Sequence, residues 1–86
     1  MTNADLDTIQ AWVLAACRDL GLSVDAGSDF FRAGGSSLTA VKLIARAEET
    51  FGEDSLPPDD LFGNSGISEI AESIARNRRQ VDASPA

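Results

Sequence analysis

Three stretches of the chain repeat apolar residues at the three-and-four spacing of one helix face, and this period predicts a fold of packed helices. The first stretch runs from about Asp5 to Leu20 and has its apolar residues at Leu6, Ile9, Val13, Ala16, Cys17 and Leu20. Gly21 follows as a helix-stop signal. Trp12 and Leu14 widen the apolar stripe, which predicts that this first long helix packs against more than one neighbour.

The second periodic stretch predicts a helix from Ser37 to about Phe51, with Ser36 as its N-cap and Gly52 as its terminating residue. The side of this helix predicted to face inward carries Leu38, Val41, Ile44, Ala45 and Phe51, and Leu43 broadens that stripe. A broad stripe suits a helix that packs on the core and also docks on a partner.

Two further helices are predicted in the second half of the chain. A short one starts at Pro57-Pro58 and runs through Asp59, Asp60, Leu61 and Phe62, because proline suits a first helical turn and acids complement the helix dipole. The segment 64–66 breaks it, and the last helix places its apolar residues at Ile67, Ile70, Ala71 and Ile74. Three arginines, Arg76, Arg78 and Arg79, suit the end of that helix, and residues 80–86 are expected to form a flexible tail.

The connection between the first two helices, residues 22–36, ends in a paired-aromatic turn, two glycines and two serines. We expect Val24, Phe30 and Phe31 to pin this connection to the core, with at least one phenylalanine as an anchor. A serine hydroxyl in the first turn of the following helix lies among unpaired backbone N–H groups, at the positive end of the helix dipole, where an attached phosphate is stabilised. The two glycines allow a tight turn and leave room for an approaching enzyme. This stretch therefore indicates an attachment site and not a catalytic centre.

The residue types present exclude several kinds of chemistry. The sequence has no histidine and one cysteine, which rules out a Ser-His-Asp triad, a Cys-His pair and a tetrahedral zinc site. No phosphate-binding loop of the Gly-x-x-x-x-Gly-Lys type is present, and the acidic residues do not alternate as a calcium loop requires. The segment 35–39 also lacks the final glycine of a nucleophile elbow. We therefore expect no catalytic residue and no metal ligand, and we expect Cys17 to be a buried structural thiol.

Composition and charge narrow the class of protein further. The 86 residues, 43% hydrophobic and 24% charged, suit one small globular domain, with a core over about 5–79. A net charge of −7 argues against nucleic acid and anionic membranes and favours partners with basic surfaces. The acidic residues at 47–75 form either a solvated face or part of a docking surface. The single cysteine and the lack of an apolar leader predict the cytosol, and the ends of the chain predict a complete, stand-alone protein.

The stretch around the two serines resembles the carrier-protein family, and most closely the peptidyl carrier proteins. The family's aspartate, aromatic pair, two glycines, variable polar residue, modified serine and leucine are matched by Asp29, Phe30, Phe31, Gly34, Gly35, Ser36, Ser37 and Leu38. The resemblance extends over roughly Leu6 to Ile74 and includes Leu61-Phe62. It implies an all-α carrier-protein bundle of four helices, three long and a short third one, with a long first loop.

The resemblance also implies a prosthetic group and its attachment residue. By the family's pattern, Ser37 bears a 4′-phosphopantetheine arm that a phosphopantetheinyl transferase takes from coenzyme A. Two positions depart from the pattern. Ser36 stands where the family usually has aspartate or histidine, and Gly66 stands where it often has a threonine that caps the last helix. We expect Ser36 to act as the N-cap of the second helix, and Ser65 or Gly66 to cap the last one less well.

The partners that the resemblance implies are the transferase, an adenylating enzyme that loads the arm, and downstream condensing, tailoring or acyl-transfer enzymes, all acting on a monomeric carrier. Residues predicted to contact them are Phe31, Gly34, Gly35, Leu38, Val41, Lys42, Ala45 and Arg46. Leu38 and Val41 could instead be core residues.

The kind of cargo is suggested by residues near the attachment serine. The glycine pair before it, with Lys42 and Arg46 after it, favours an aminoacyl carrier of nonribosomal peptide or hybrid pathways. A carrier of a polyketide or fatty-acid pathway is one alternative, and an unmodified four-helix interaction module is another. Absence of modification would single out the module.

Overall fold

The computed structural model describes the backbone of residues 3–83 and the side chains of residues 6–78. Four helices follow in chain order: α1 (Asn3–Asp19), α2 (Ser37–Phe51), α3 (Pro58–Gly63) and α4 (Ile67–Ala83). No β-strand occurs in the described backbone, where extended pairing is limited to one bridge between Asp29 and Gly66. This architecture confirms the predicted all-α bundle with a short third helix. None of the described helices is long and apolar enough to cross a membrane.

The core lies where α1 packs along α4, with α2 and α3 closing it from the side. Its fully buried residues are mostly branched aliphatics, of which Leu56 lies in the segment between α2 and α3 and the others lie on helices: Ile9, Val13, Leu43, Leu61, Ile67, Ile70 and Ile74. Each such side chain contributes about 1.5–3 kcal/mol on burial. Cys17 is fully buried among them, and this burial raises the pKa of its thiol to about 11. The prediction of a buried thiol is confirmed.

The side of α2 that faces the core differs from the prediction. Ala40, Leu43 and Ala47 are the buried residues of this helix, whereas Leu38, Val41 and Ala45 are exposed. At 100° per residue these two sets lie on roughly opposite sides of the helix, and both are apolar. The prediction was therefore wrong for Leu38, Val41 and Ala45, whereas Ile44 and Phe51 are partly buried against the core, as predicted. The small side chains of the two alanines let α2 approach its neighbours closely, and the apolar period could not show which stripe would be covered.

The boundaries of α1 and α4 also differ from the prediction. The first helix begins two residues before Asp5 and ends one residue before Leu20, while Gly21 takes the expected left-handed conformation with φ +96°. The last helix continues to Ala83, so residues 80–83 are helical where the sequence predicted a tail. Nothing in that segment stops a helix, and the next helix-breaking residue in the sequence is Pro85. The rest of the predicted tail, residues 84–86, lies outside the described residues.

A polar network fixes the short helix α3 against α4. Asp60 Oδ2 accepts a hydrogen bond from the Ser73 hydroxyl at 2.7 Å and another from Asn77 Nδ2 at 3.3 Å. The Ser73 bond is the main reason that the pKa of Asp60 lies below its usual value, and Arg76 contributes from 3.8 Å. Arg78 lies 5.7 Å from the centroid of the Phe51 ring, which joins the far end of α4 to α2. The position of α3 is thus fixed by specific bonds as well as by burial of its one leucine.

The first connection is pinned to the core by its apolar side chains, as predicted. Leu22, Val24 and Phe30 are buried, and Phe31 is half-buried. The connection is also bonded to the start of α4: Phe30 N–H donates to the Ser65 carbonyl at 2.8 Å, and Ile67 N–H donates to the Ser28 carbonyl at 2.9 Å. The long loop is therefore an ordered part of the bundle.

Candidate functional site

Ser37 is the first residue of α2, and its side chain is exposed. The preceding residue, Ser36, has an extended backbone with φ −117° and ψ 174°, and its hydroxyl accepts the N–H of Thr39 at 3.2 Å. The Ser36 carbonyl accepts the N–H of Ala40 at 2.8 Å and so begins the helix. The predicted N-cap role of Ser36 is confirmed. Both serines are exposed, but the hydroxyl of Ser36 is bonded within the first turn of α2, whereas that of Ser37 makes no hydrogen bond to a described residue.

The surroundings of the Ser37 hydroxyl suit a covalently attached phosphate. Among the described residues, no hydrogen bond engages this hydroxyl, and the first turn of α2 contains no acidic side chain. The N–H groups of Ser37 and Leu38 belong to the part of a helix that has no carbonyl partner of its own. The positive end of the helix dipole is thus compensated only by a neutral cap. These features fit the negative charge of the phosphodiester that joins a phosphopantetheine to serine.

Each of the two glycines before the serines stands at a position where the local structure favours glycine. Gly34 has φ +111°, a backbone conformation that side chains disfavour. A Cβ on Gly35 would lie 2.5 Å from Cε2 of Phe30 and 2.7 Å from the Phe30 carbonyl oxygen. The Gly35 N–H donates to that same carbonyl at 3.0 Å. The turn is thus tight, as predicted, and the second glycine is required by the buried ring beneath it.

The carboxylate of Asp29 organises the turn that leads to the serines. Its Oδ2 accepts the N–H of Phe31 at 3.0 Å and that of Arg32 at 3.1 Å, and its Oδ1 accepts the Ser65 hydroxyl at 2.6 Å. The Ser65 bond is the largest cause, and the Arg32 N–H the next, of a lowered pKa at Asp29. The ionised carboxylate therefore connects the turn to the segment between α3 and α4.

Gly66 is the N-cap residue of α4, one of the two alternatives predicted, because its carbonyl accepts the N–H of Ile70 at 2.9 Å. The hydroxyl of Ser65 donates to Asp29, and Gly66 has no side chain that could bond to the first turn of the helix. Instead, Glu69 Oε1 accepts the N–H of Gly66 at 3.2 Å, which is one half of a capping box. The acid at the third position of the helix was the sequence signal for this arrangement, and it was missing from the prediction.

Apolar side chains near the site are exposed to solvent. Leu38 is 65% exposed and Val41 is 59% exposed, on the same side of α2 and within one turn of Ser37. Phe62 is 49% exposed and stacks on Phe31, with ring centroids 5.5 Å apart and an angle of 16° between the planes. The alternative that Leu38 and Val41 are core residues is therefore wrong.

Phe62 was not among the predicted contact residues. Its position directly after Leu61 was the available signal, because neighbouring residues of a helix point about 100° apart and so short a helix buries only one of them.

The remaining predicted contact residues lie on or beside the exposed side of α2. Lys42 and Ala45 are exposed, and Gly34 and Gly35 lie in the turn before the helix. Arg46 forms an ion pair with Asp19 of α1. Exposed ion pairs of this kind are worth about 0–1 kcal/mol, so the pair is easily rearranged. The structure thus places the predicted residues around the start and the outer side of one helix.

Comparison with known proteins bears on what this site does. The sequence profile of the family described as "Phosphopantetheine attachment site" matches residues 11–74. The chain is 37% identical to the phosphinothricin tripeptide synthetase PhsC of Streptomyces viridochromogenes over 62 residues, and these residues make up 71% of this chain. It is 39% identical over 56 residues, 65% of the chain, to the beauvericin nonribosomal cyclodepsipeptide synthetase BEA1 of Gibberella fujikuroi.

The matched regions are small parts of those two relatives. They amount to 6% of the Streptomyces synthetase and 2% of the Gibberella synthetase. The likeness therefore concerns one domain-sized segment of each. No solved structure matches the chain.

Proposed function

The chain belongs to the phosphopantetheine attachment-site family, whose members carry 4′-phosphopantetheine, and we propose that it acts as a peptidyl carrier protein with Ser37 as the attachment residue. The observation that supports Ser37 most strongly is the division of roles between the two serines. Ser36 is bonded as the helix cap, while Ser37 presents an exposed hydroxyl at the helix start. A modified residue has to reach the active site of another enzyme, and Ser37 meets that requirement.

The chain contributes the acceptor for a group transfer and a charged environment for the product. In that transfer the Ser37 oxygen bonds to the phosphorus next to pantetheine, the bond from that phosphorus to the rest of coenzyme A breaks, and the serine proton goes to a base of the transferase. The first-turn N–H groups of α2, which have no carbonyl partner within the helix, would stabilise the charge of that phosphodiester. Once attached, the group supplies a terminal thiol on which acyl units are held as thioesters. We propose that the chain itself supplies no catalysis.

The exposed apolar side chains are proposed to contact the enzymes that modify, load and unload the carrier. Leu38 and Val41 follow the attachment residue on α2, and Phe31 and Phe62 form a stacked pair on the connection and on α3. Lys42, Ala45 and Arg46 continue the outer side of α2. A small apolar surface suits brief encounters, because a carrier has to leave each enzyme quickly. The partners we propose are a phosphopantetheinyl transferase, an adenylating enzyme, and condensing, tailoring or acyl-transfer enzymes.

The role in nonribosomal peptide synthesis is supported by the two synthetase relatives. We propose that the cargo is an aminoacyl or acyl unit, handed between enzymes of a nonribosomal peptide or hybrid pathway. That the carrier is a stand-alone protein also stays a prediction. The mass of the protein isolated from its own cells would test it.

The experiment that tests this function is a two-step reconstitution followed by intact mass measurement. The purified chain is incubated with coenzyme A, Mg²⁺ and a broad-specificity phosphopantetheinyl transferase, and then with ATP, amino acids and candidate adenylating enzymes. We expect a gain of one phosphopantetheine in the first step and of one aminoacyl group in the second. Because Ser37 is proposed as the acceptor, Ser37→Ala should show neither gain while keeping its helical circular dichroism spectrum.

The outcomes separate the alternatives. A folded wild-type chain that gains no mass would be an unmodified interaction module, and the carrier proposal would be wrong. A modified chain that accepts malonyl or fatty acyl units and no amino acid would be a polyketide or fatty-acid carrier instead.

A further inference from the structure

Two serines near the start of α4 bond to the first connection, and their partners are only three positions apart in the sequence. Ser65 donates its hydroxyl to Oδ1 of Asp29 at 2.6 Å, and Ser68 donates its hydroxyl to the carbonyl of Ala26 at 3.1 Å. Both bonds join the same two segments of the bundle. The Ser65 bond ends on the carboxylate that organises the turn before Ser37, whereas the Ser68 bond ends on a carbonyl farther back in the chain.

The Ser65 bond fixes the orientation of a carboxylate whose other oxygen is in use. With Oδ1 held, Oδ2 faces the N–H groups of Phe31 and Arg32, which it accepts at 3.0 and 3.1 Å. The next backbone bond runs from Gly35 N–H to the Phe30 carbonyl, directly before the N-cap. A continuous series of bonds therefore runs from the α3–α4 segment through the turn to the start of α2.

The geometry of this bond is that of a strong interaction. A hydroxyl that donates to a carboxylate at 2.5–2.7 Å is in the range of charge-assisted hydrogen bonds, which are about twice as strong as neutral ones. Asp29 is partly buried, and the Ser65 hydroxyl is the main cause of its lowered pKa. By contrast, the Ser68 bond is longer, exposed, and made to a neutral carbonyl.

We propose that Ser65, acting through Asp29, is a positioning residue for the transfer of phosphopantetheine to Ser37. This inference rests on the proposed function of Ser37. Without the Ser65 hydroxyl, the Asp29 carboxylate keeps only its bonds to the N–H groups of Phe31 and Arg32. The turn over residues 29–35, still joined to Ser65 through the Phe30 N–H, is then held less firmly, and a smaller fraction of molecules presents the start of α2 in the competent conformation. The rate of transfer then falls with the fraction of molecules that hold the competent conformation.

The test compares Ser65→Ala with the matched control Ser68→Ala in the unmodified protein and in the transferase reaction. Loss of a hydrogen bond to a charged group leads us to expect a fall in kcat/KM for Ser65→Ala of roughly threefold to tenfold. Amide hydrogen exchange of Phe31 and Arg32 should accelerate in the same variant before any modification, because their acceptor is no longer fixed. Ser68→Ala should change neither quantity, and Ser65→Thr, which keeps the hydroxyl, should restore both.

Each result decides between the two proposals. Modification of Ser65→Ala at the wild-type rate, with the wild type still modified on Ser37, would overturn the positioning role alone. Equal slowing in Ser65→Ala and Ser68→Ala would also overturn it, since a general loss of stability would then explain both. A wild-type chain that the transferase cannot modify would overturn the proposed function, and this inference with it.

Discussion

The starts of α2 and α4 are built on the same helical geometry but differ in how their N–H groups are used. At α4, Glu69 bonds back to the N–H of Gly66, and the next N–H, that of Ile67, donates to the first connection. The first side chain of that helix is fully buried. At α2, a neutral hydroxyl caps the helix, no acid lies in the first turn, and Ser37 is exposed. The positive end of the α4 dipole is therefore compensated by the Glu69 carboxylate, whereas the start of α2 has no acidic side chain and can accept an added negative charge.

This difference shows why a serine at a helix start is not by itself evidence of a site. Ser68 of α4 lies in the first turn of its helix, as Ser37 does, yet its hydroxyl is used on a carbonyl of the first connection. Ser37 differs because the neighbouring Ser36 caps the helix and because no acidic side chain in the first turn compensates the positive end of the dipole. The start of α2 is therefore the better candidate for the attachment site, because the Ser37 hydroxyl makes no hydrogen bond to a described residue and no acidic side chain lies in the first turn.

The largest effect is expected from adding a methyl group before each helix. Gly35→Ala should lower the free energy of unfolding by about 1–3 kcal/mol, because the new Cβ would meet the buried Phe30 ring and its carbonyl. In Gly66→Ala the new Cβ meets only the flexible end of Glu69, so the loss should stay below about 1 kcal/mol. Urea unfolding of the two variants measures the difference. Equal losses would show that the α2 start does not depend on close contact with Phe30.

A second prediction transfers the charge arrangement of α4 to α2. Thr39 occupies the position in α2 that Glu69 occupies in α4, so Thr39→Glu creates a complete capping box with Ser36. We expect the helix to gain about 0.3–1 kcal/mol while phosphopantetheinylation slows about twofold to fivefold, since the new carboxylate opposes the incoming phosphate. Rates of transfer and urea midpoints measure the two effects.

The matched control for that prediction is Thr39→Gln, which has the shape of the capping box without its charge. The rate difference between the two variants should shrink as salt is raised, because salt screens exposed charges. Identical rates for both variants at low salt would contradict the view that the open charge of the α2 start matters.

A third, smaller effect is expected at the start of α4. Glu69→Ala removes the acceptor of the Gly66 N–H and should lower the free energy of unfolding by about 0.5–1 kcal/mol. The rate of modification of Ser37 should be unchanged, because the Glu69 side chain bonds to Gly66 and, among the described residues, to none of the turn over residues 29–35, which keeps its own bonds to Ser65. Denaturant unfolding and the transferase assay measure the two quantities. A fall in the modification rate without loss of stability would contradict the separation of the two helix starts.

The smallest effect concerns pH, through the carboxylate that joins the two helix starts. The pKa of Asp29 is lower in the folded chain than its usual value, so its contribution to stability is full above the unfolded value of about 3.9 and is lost as the pH falls through the folded value. Asp29→Asn should therefore be less stable than the wild type at about pH 7 and nearer to it at about pH 3. Thermal unfolding of both proteins at the two pH values measures this. A stability difference that grows in acid would contradict the account.

How far the sequence predicts this molecule depends on whether the information is local. The bounds of α2, its cap at Ser36 and its end at Gly52 follow from neighbouring residues, and they were predicted correctly. The buried side of α2 was predicted correctly only in part, since the helix is apolar on two sides and the choice between them depends on elements that are distant in sequence.

The bond between Asp29 and Ser65 could not be predicted for the same reason, because 36 positions separate its partners. Ser37 was predicted as the attachment residue from the family pattern and from a helix start, both of which are local. The bond from Ser65 on which its proposed positioning rests became visible only in the folded chain.

Mass spectrometry of two single variants can show whether Ser36 or Ser37 is the residue that accepts phosphopantetheine. Ser36→Ala and Ser37→Ala are incubated in parallel with coenzyme A and the transferase, and the modified peptide is sequenced by mass spectrometry. We predict that Ser36→Ala is modified on Ser37 and that Ser37→Ala is not modified. Loss of the Ser36 cap should lower the free energy of unfolding by about 1 kcal/mol without preventing modification. Modification of Ser37→Ala on Ser36 would contradict this prediction, because the capping hydroxyl would then be the acceptor.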